Sequence, residues 1–117
     1  MSGKTSRNKG RRGETVSKRL LQDRDYTILA DTTAGLATDD LLAQDAGGAL
    51  WSVEVKNQKI INPALFTEQA RAQASKKHGL RWMVLAHIHN TSSWLVLKQG
   101  ARPTIWHEKE DNNEGGK

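Results

Sequence analysis

The 117-residue chain has no cysteine. This excludes a disulfide framework and any thiolate metal site, and a reducing interior is its natural setting. No apolar run approaches the roughly 18 residues that a membrane-spanning helix requires. The basic opening "MSGKTSRNKGRRGE" is not followed by the apolar stretch of a secretory signal. A soluble, cytoplasmic protein with no membrane partner is therefore expected. Internal repeats are absent. "MSGKTS" lacks the preceding strand and the first glycine of a phosphate-binding loop, so that motif is excluded too.

What is present is a globular composition with polar ends. At 36% hydrophobic and 26% charged residues, roughly 90 residues remain to build one core. The net charge of +5 is uneven. Lys4, Arg7, Lys9, Arg11, Arg12, Lys18, Arg19 and Arg24, set against Glu14 and Asp23, leave +6 on the first 24 residues. The remainder is close to neutral. A concentrated cationic segment suits a phosphate backbone, because binding there releases counterions whatever the base sequence. A solvated terminal arm would carry the same charges, and composition does not separate the two.

Residues 1–9 read as a flexible basic arm, 10–106 as one domain and 107–117 as a disordered polar tail. A helix is expected from about Arg11 to Arg24, with Val16, Leu20 and Leu21 on its apolar face. "YTILA" (Tyr26 to Ala30) is a strand candidate, and "DTTAGLATDD" is loop-like. "DLLAQDAGGALWSVEVKNQ" reads as two strands folded about Gly47-Gly48. Asn62-Pro63 opens a second helix that closes through Lys76, Lys77 and His78 at Gly79. "LRWMVLAHIH" and "SSWLVL" supply two more strands. The expectation is an α/β fold, a central mixed five-stranded sheet flanked by helices.

Alternation on the third strand sends Trp51, Val53 and Val55 to one face and Ser52, Glu54 and Lys56 to the other. A three-residue hairpin loop centred on Gly47 sets Asp40 directly opposite Glu54, with Cβ atoms about 5 Å apart. A two-residue Gly47-Gly48 turn instead sets Asp39 opposite Lys56. Carboxylates so close repel each other unless a divalent cation lies between them, and hard oxygens are what Mg²⁺ takes. A lysine beside that ion can orient the attacking water and offset charge growing on a phosphate.

Asp40 before apolar residues, a hairpin and then "EVK" (Glu54, Val55, Lys56) resembles the signature of the PD-(D/E)XK nuclease superfamily, with Asp39 where the family carries Pro. "NKGRRGE" leading into a helix resembles the opening of the small archaeal and phage Holliday-junction resolvases of that superfamily. "FTEQARAQA" looks like the family's second helix, with Gln69 at its recurring polar position. The resemblance implies a restriction-endonuclease-like core and a metal-dependent DNA endonuclease. Glu14, Asp40, Glu54 and the main-chain carbonyl of Val55 would hold Mg²⁺, with Mn²⁺ as substitute. Lys56 would assist the water and Gln69 the site. Arg7, Lys9, Arg11 and Arg12 would grip DNA phosphates around a four-way junction or other branched DNA, and two symmetric cuts imply a homodimer. The "DLLA" match favours Asp40, with Asp39 in reserve. A general or nicking nuclease of the superfamily is the alternative, and a non-catalytic DNA-binding recombination accessory protein is the rival from another class.

His87 and His89 share one strand face, but with no cysteine and no third spaced ligand a polar or interface role is preferred to zinc. Three of the four tryptophans, Trp51, Trp82 and Trp94, fall in expected strands, which favours packing over base stacking.

Overall fold

The hairpin that carries the charged residues closes through three residues. Asp45 N donates to Ala49 O at 2.9 Å, so Ala46, Gly47 and Gly48 form the loop. Gly48 has φ 93°, a conformation that glycine adopts without the penalty of a side chain. Asp45 builds the rest of the turn: its Oδ1 accepts from Gly47 N at 3.0 Å and Ala49 N at 2.9 Å. Of the two hairpin alternatives, the three-residue loop is the one formed.

The computed structural model describes residues 13–31, 41–76 and 79–109. It contains helix α1 over residues 13–22, followed by strands β1 (Thr27–Asp31), β2 (Leu41–Gln44) and β3 (Leu50–Lys56), helix α2 (Pro63–Ala74), and strands β4 (Leu80–His87), β5 (Ser93–Lys98) and β6 (Thr104–His107). The fold is α/β, with one mixed six-stranded sheet in the order β1-β2-β3-β4-β5-β6. Every neighbouring pair is antiparallel except β3 and β4, which are parallel and joined across α2.

The sheet has six strands rather than the expected five. The additional strand, β6, is the short "TIWH" edge. It is held by tertiary contacts rather than by its own pattern: Trp106 packs on Tyr26 at 6.3 Å, and Trp94 Nε1 donates to Glu108 Oε2 at 2.9 Å. His107 closes β6, residues 108 and 109 follow it outside the sheet, and 110–117 lie outside the described residues.

Each face of the sheet carries one helix. Leu20 and Leu21 of α1 join Leu41, Ala43, Trp51, Val53, Met83, Leu85, Trp94 and Val96 in the larger core. Phe66 and Ala70 of α2 cover Val84, Ala86 and Leu97 on the opposite face. Helix α1 ends at residue 22, short of Arg24. Tyr26 N donates back to Leu21 O at 3.0 Å while Asp25 adopts φ 68°, a left-handed cap of the kind glycine usually fills. Helix α2 begins as expected, with Asn62 Oδ1 accepting from Leu65 N at 3.1 Å and Pro63 in its first turn. It stops at Ala74 rather than running to Gly79, because Ser75 Oγ turns back to Ala72 O at 2.8 Å and the chain must reverse to start β4 at Leu80. Among the described residues no helix is long and apolar enough to cross a membrane.

Candidate active site

Strand β3 lies between β2 and β4, so its charged residues stand on a central strand and not at an exposed edge. The pleat turns Val53 and Val55 toward α1, and Glu54 and Lys56 toward the α2 side. There Lys56 Nζ is 3.9 Å from Glu54 Oε2, and the two side chains keep only 17% and 16% of their surface. The Lys56 ammonium also stands 5.3 Å from the centre of the Phe66 ring, in the first turns of α2.

Magnitudes bear on what this pair is for. Withdrawing an ion from water costs several kcal/mol. Attraction at this separation returns about 4 kcal/mol at an effective dielectric of 20. A largely buried ion pair is therefore weak evidence of a purely stabilising role, since well-packed apolar residues often serve stability as well. A carboxylate and an amine drawn together at the end of a central strand are groups of the kind active sites employ.

Helix α1 approaches the same end of the sheet from the other side. A Cβ built on Gly13 would lie 3.4 Å from Asn57 Nδ2. The beginning of the described helix therefore packs on the residue that follows Lys56, and half-buried Glu14 comes next in the helix. Two of the three expected carboxylates, Glu14 and Glu54, are thus carried by elements that meet at the carboxyl end of β3. The third, Asp40, lies outside the described residues, as do Asp39 and the arginines and lysine of the basic arm, Arg7, Lys9, Arg11 and Arg12. The described side of the β2–β3 ladder pairs Leu41 with Val53 and Leu42 with Ser52. Val55 packs against the larger core, and Gln69 lies exposed on α2. Among the described residues no group of three or more His, Asp or Glu stands close enough to hold a metal.

The chain matches no protein-family model, no curated protein and no solved structure.

At the same end of the sheet, on the face that carries α1, lies a feature that strand periodicity did not single out. An open groove of about 490 Å³ is bordered by Gly13 and Val16 of α1, Asn57, His87, the 89–92 turn, Trp94 and Glu108. His87 Nε2 lies 2.7 Å from Thr91 O, and Nδ1 lies 3.2 Å from the Asn57 side-chain amide, which can turn either its oxygen or its nitrogen to the ring. A carbonyl can only accept, so Nε2 carries a hydrogen and donates. The ring also leans on Trp94 at 5.0 Å. His87 and His89 thus border a polar groove. The signal in the sequence was the run of small polar residues "NTSS" after "HIH", which reads as a loop until the fold sets it beside Asn57.

The opposite end of the sheet is structural. Trp51 Nε1 donates to Asp45 Oδ2 at 3.0 Å. Lys98 Nζ lies 4.7 Å from the Trp51 ring and donates to the Tyr26 hydroxyl at 2.7 Å. The bond from Trp51, then the bond from the Ala49 N–H, hold the Asp45 carboxyl below its ordinary value of 3.8. Trp51 and Trp94 are 3% and 2% exposed, which assigns them to packing and not to stacking on bases.

Proposed function

We propose that the protein is a metal-dependent DNA endonuclease that cuts phosphodiesters in branched DNA, in the manner of the small Holliday-junction resolvases its motif resembles. The observation that carries this reading is the Glu54–Lys56 pair, 3.9 Å apart and largely withdrawn from water on a central strand. Two further features support it. The order helix, three antiparallel strands, helix, parallel strand is the order expected of a restriction-endonuclease-like core. The three-residue hairpin loop is the one under which the ladder, carried one residue past Leu41, would set Asp40 against Glu54.

Carboxylate oxygens are hard donors and suit Mg²⁺ or Mn²⁺. Glu54, with Glu14, Asp40 and the main-chain carbonyl of Val55, would hold the ion, which when bound supplies Lewis acidity at the phosphate. Lys56 would donate to the attacking water or to a non-bridging oxygen, fixing its direction and offsetting charge that grows during attack. The partial burial of Lys56 strengthens that interaction relative to bulk water. Arg7, Lys9, Arg11 and Arg12 would hold backbone phosphates and add affinity without base preference. A homodimer would supply the second, symmetric cut. A general nicking nuclease would use the same residues without preference for branches.

The rival reading, a non-catalytic DNA-binding accessory protein, draws on the +6 charge of the first 24 residues. One assay separates the three. Four-way junction, flap and linear duplex are incubated with the full chain in Mg²⁺ and in EDTA. Symmetric nicking of the junction, abolished by EDTA and by Lys56→Ala, is the expected result. Equal cutting of linear duplex would favour a general nuclease. Binding without cutting, indifferent to chelator and to Glu54→Gln, would favour the accessory protein.

A further inference from the structure

The groove around His87, on the face of the sheet opposite Glu54 and Lys56, has no part in the chemistry described above. We propose that it receives one unpaired nucleobase of the DNA strand cut at Glu54 and Lys56, an inference that rests on the nuclease reading.

Position is the first ground. The groove opens at the carboxyl ends of the parallel strands β3 and β4, the edge where open α/β sheets bind ligands. Asn57, on its wall, directly follows Lys56 in the chain. Lys56 faces α2 and the groove faces α1, but both lie at the carboxyl end of β3, so a strand that rounds that end from a phosphate at Lys56 brings a neighbouring nucleotide to the groove.

Size and chemistry are the second. About 490 Å³ falls within the range of sites that enclose small ligands. Val16 and the His87 ring, backed by Trp94, offer apolar and aromatic surface, while Asn57, Ser92 and Glu108 offer polar groups. A nucleobase matches that division, with apolar faces and a polar rim. The formal charge among the described lining residues, apart from the two titratable imidazoles, is the Glu108 carboxylate, which disfavours a phosphate. Its Oε2 takes the Trp94 indole, and a carboxylate has acceptor sites to spare for an exocyclic amino group.

The third ground is that the walls are built before any ligand arrives. His87 Nε2 donates to Thr91 O at 2.7 Å, Glu108 N donates to Ser92 O at 2.9 Å, and Thr91 Oγ1 donates to Ile88 O at 2.7 Å. Little ordering would accompany binding, which favours a weakly stacked single base.

The test uses the full chain in EDTA, so that no readout depends on cleavage. Deoxyadenosine and deoxycytidine are titrated while the ring resonances of His87 and His89 are followed by NMR, with deoxyribose 5-phosphate as the control. Both nucleosides should shift the two histidines and the sugar phosphate should not. A four-way junction with abasic positions at the branch-flanking nucleotides should bind about tenfold more weakly than the intact junction. Ser92→Trp, which fills the groove from an exposed position, should erase that difference while leaving linear duplex binding unchanged.

Equal shifts with the sugar phosphate would mean that the groove reads phosphate, and would overturn the proposal. So would no shift at all, or nucleoside binding paired with identical affinity for intact and abasic junctions, which would mark a free nucleoside as the ligand. Absence of Mg²⁺-dependent cutting on every DNA, with the base-dependent binding intact, would remove the nuclease reading and leave the groove as a nucleobase site.

Discussion

Leu41 lies directly across the β2–β3 ladder from Val53, both of them fully buried beneath α1. Side chains alternate along a strand, so this pairing gives Leu42 and Ser52 the opposite face, the one shared by Glu54 and Lys56. A one-residue slip would invert all of them. The three-residue loop prevents that slip, and a ladder carried one residue further would set Asp40 rather than Asp39 opposite Glu54.

The two aspartates should therefore differ sharply in effect. Asp40→Asn is expected to reduce junction cutting at least a hundredfold while leaving junction binding in EDTA intact, as loss of a metal-holding carboxylate would. Asp39→Asn should leave cutting within a few-fold of the parent. Measured single-turnover rates for the two variants decide the matter, and the reverse ranking would refute the ladder as drawn.

Asp45 ties stability to acid pH. Its folded carboxyl titrates below the ordinary 3.8 because the Trp51 indole and backbone N–H groups bond to the charged form. A group depressed on folding contributes stability that is fully present above its unfolded value and is lost as pH falls through the folded one. Urea midpoints should thus hold steady from neutral pH down to the carboxylate range and then decline. Asp45→Asn should be less stable at pH 7 and show a shallower decline below pH 4. Parallel acid limbs for the two proteins would show that Asp45 contributes nothing to it.

The cap of α1 leaves room for improvement. Asp25 occupies a left-handed conformation with φ 68° while its neighbours complete the bonds that end the helix. Asp25→Gly should raise stability by roughly 0.5–1 kcal/mol, since glycine adopts that geometry without the steric cost of a Cβ. Gly48→Ala, at φ 93° in the hairpin, should lower it by a similar amount. Chemical denaturation of both variants would reveal the opposite signs.

Ser17 is fully buried against the sheet, and its hydroxyl has no hydrogen-bond partner among the described residues. A buried, unsatisfied hydroxyl carries a desolvation cost of about 1–3 kcal/mol. Ser17→Ala should accordingly stabilise the fold by about 1 kcal/mol, with a higher thermal midpoint and unchanged activity. A lower midpoint would mean that the hydroxyl is satisfied in solution by a bound water.

Much of the architecture is written in local pattern. Asn62-Pro63 announces the start of α2 because a side-chain acceptor and a fixed φ act within a few residues. Alternation around Trp51, Val53 and Val55 reveals β3 because one face is buried, and the chemical types of Glu54 and Lys56 hint at their use. The end of α2 and strand β6 were not legible. Ser75 halts the helix to serve the return to β4, and "TIWH" becomes a strand because Trp106 finds Tyr26.

Composition and short-range spacing determined the α/β class, the hairpin and the residues able to do chemistry, since each depends on neighbours in the chain. Tertiary structure alone decided that Glu54 and Lys56 lose most of their water, that Lys56 meets the Phe66 ring, and that Gly13 meets Asn57. The groove around His87 is likewise a product of the fold, assembled from segments up to 95 residues apart, Gly13 to Glu108. Burial and convergence of that kind arise from packing between distant segments, which no local pattern encodes.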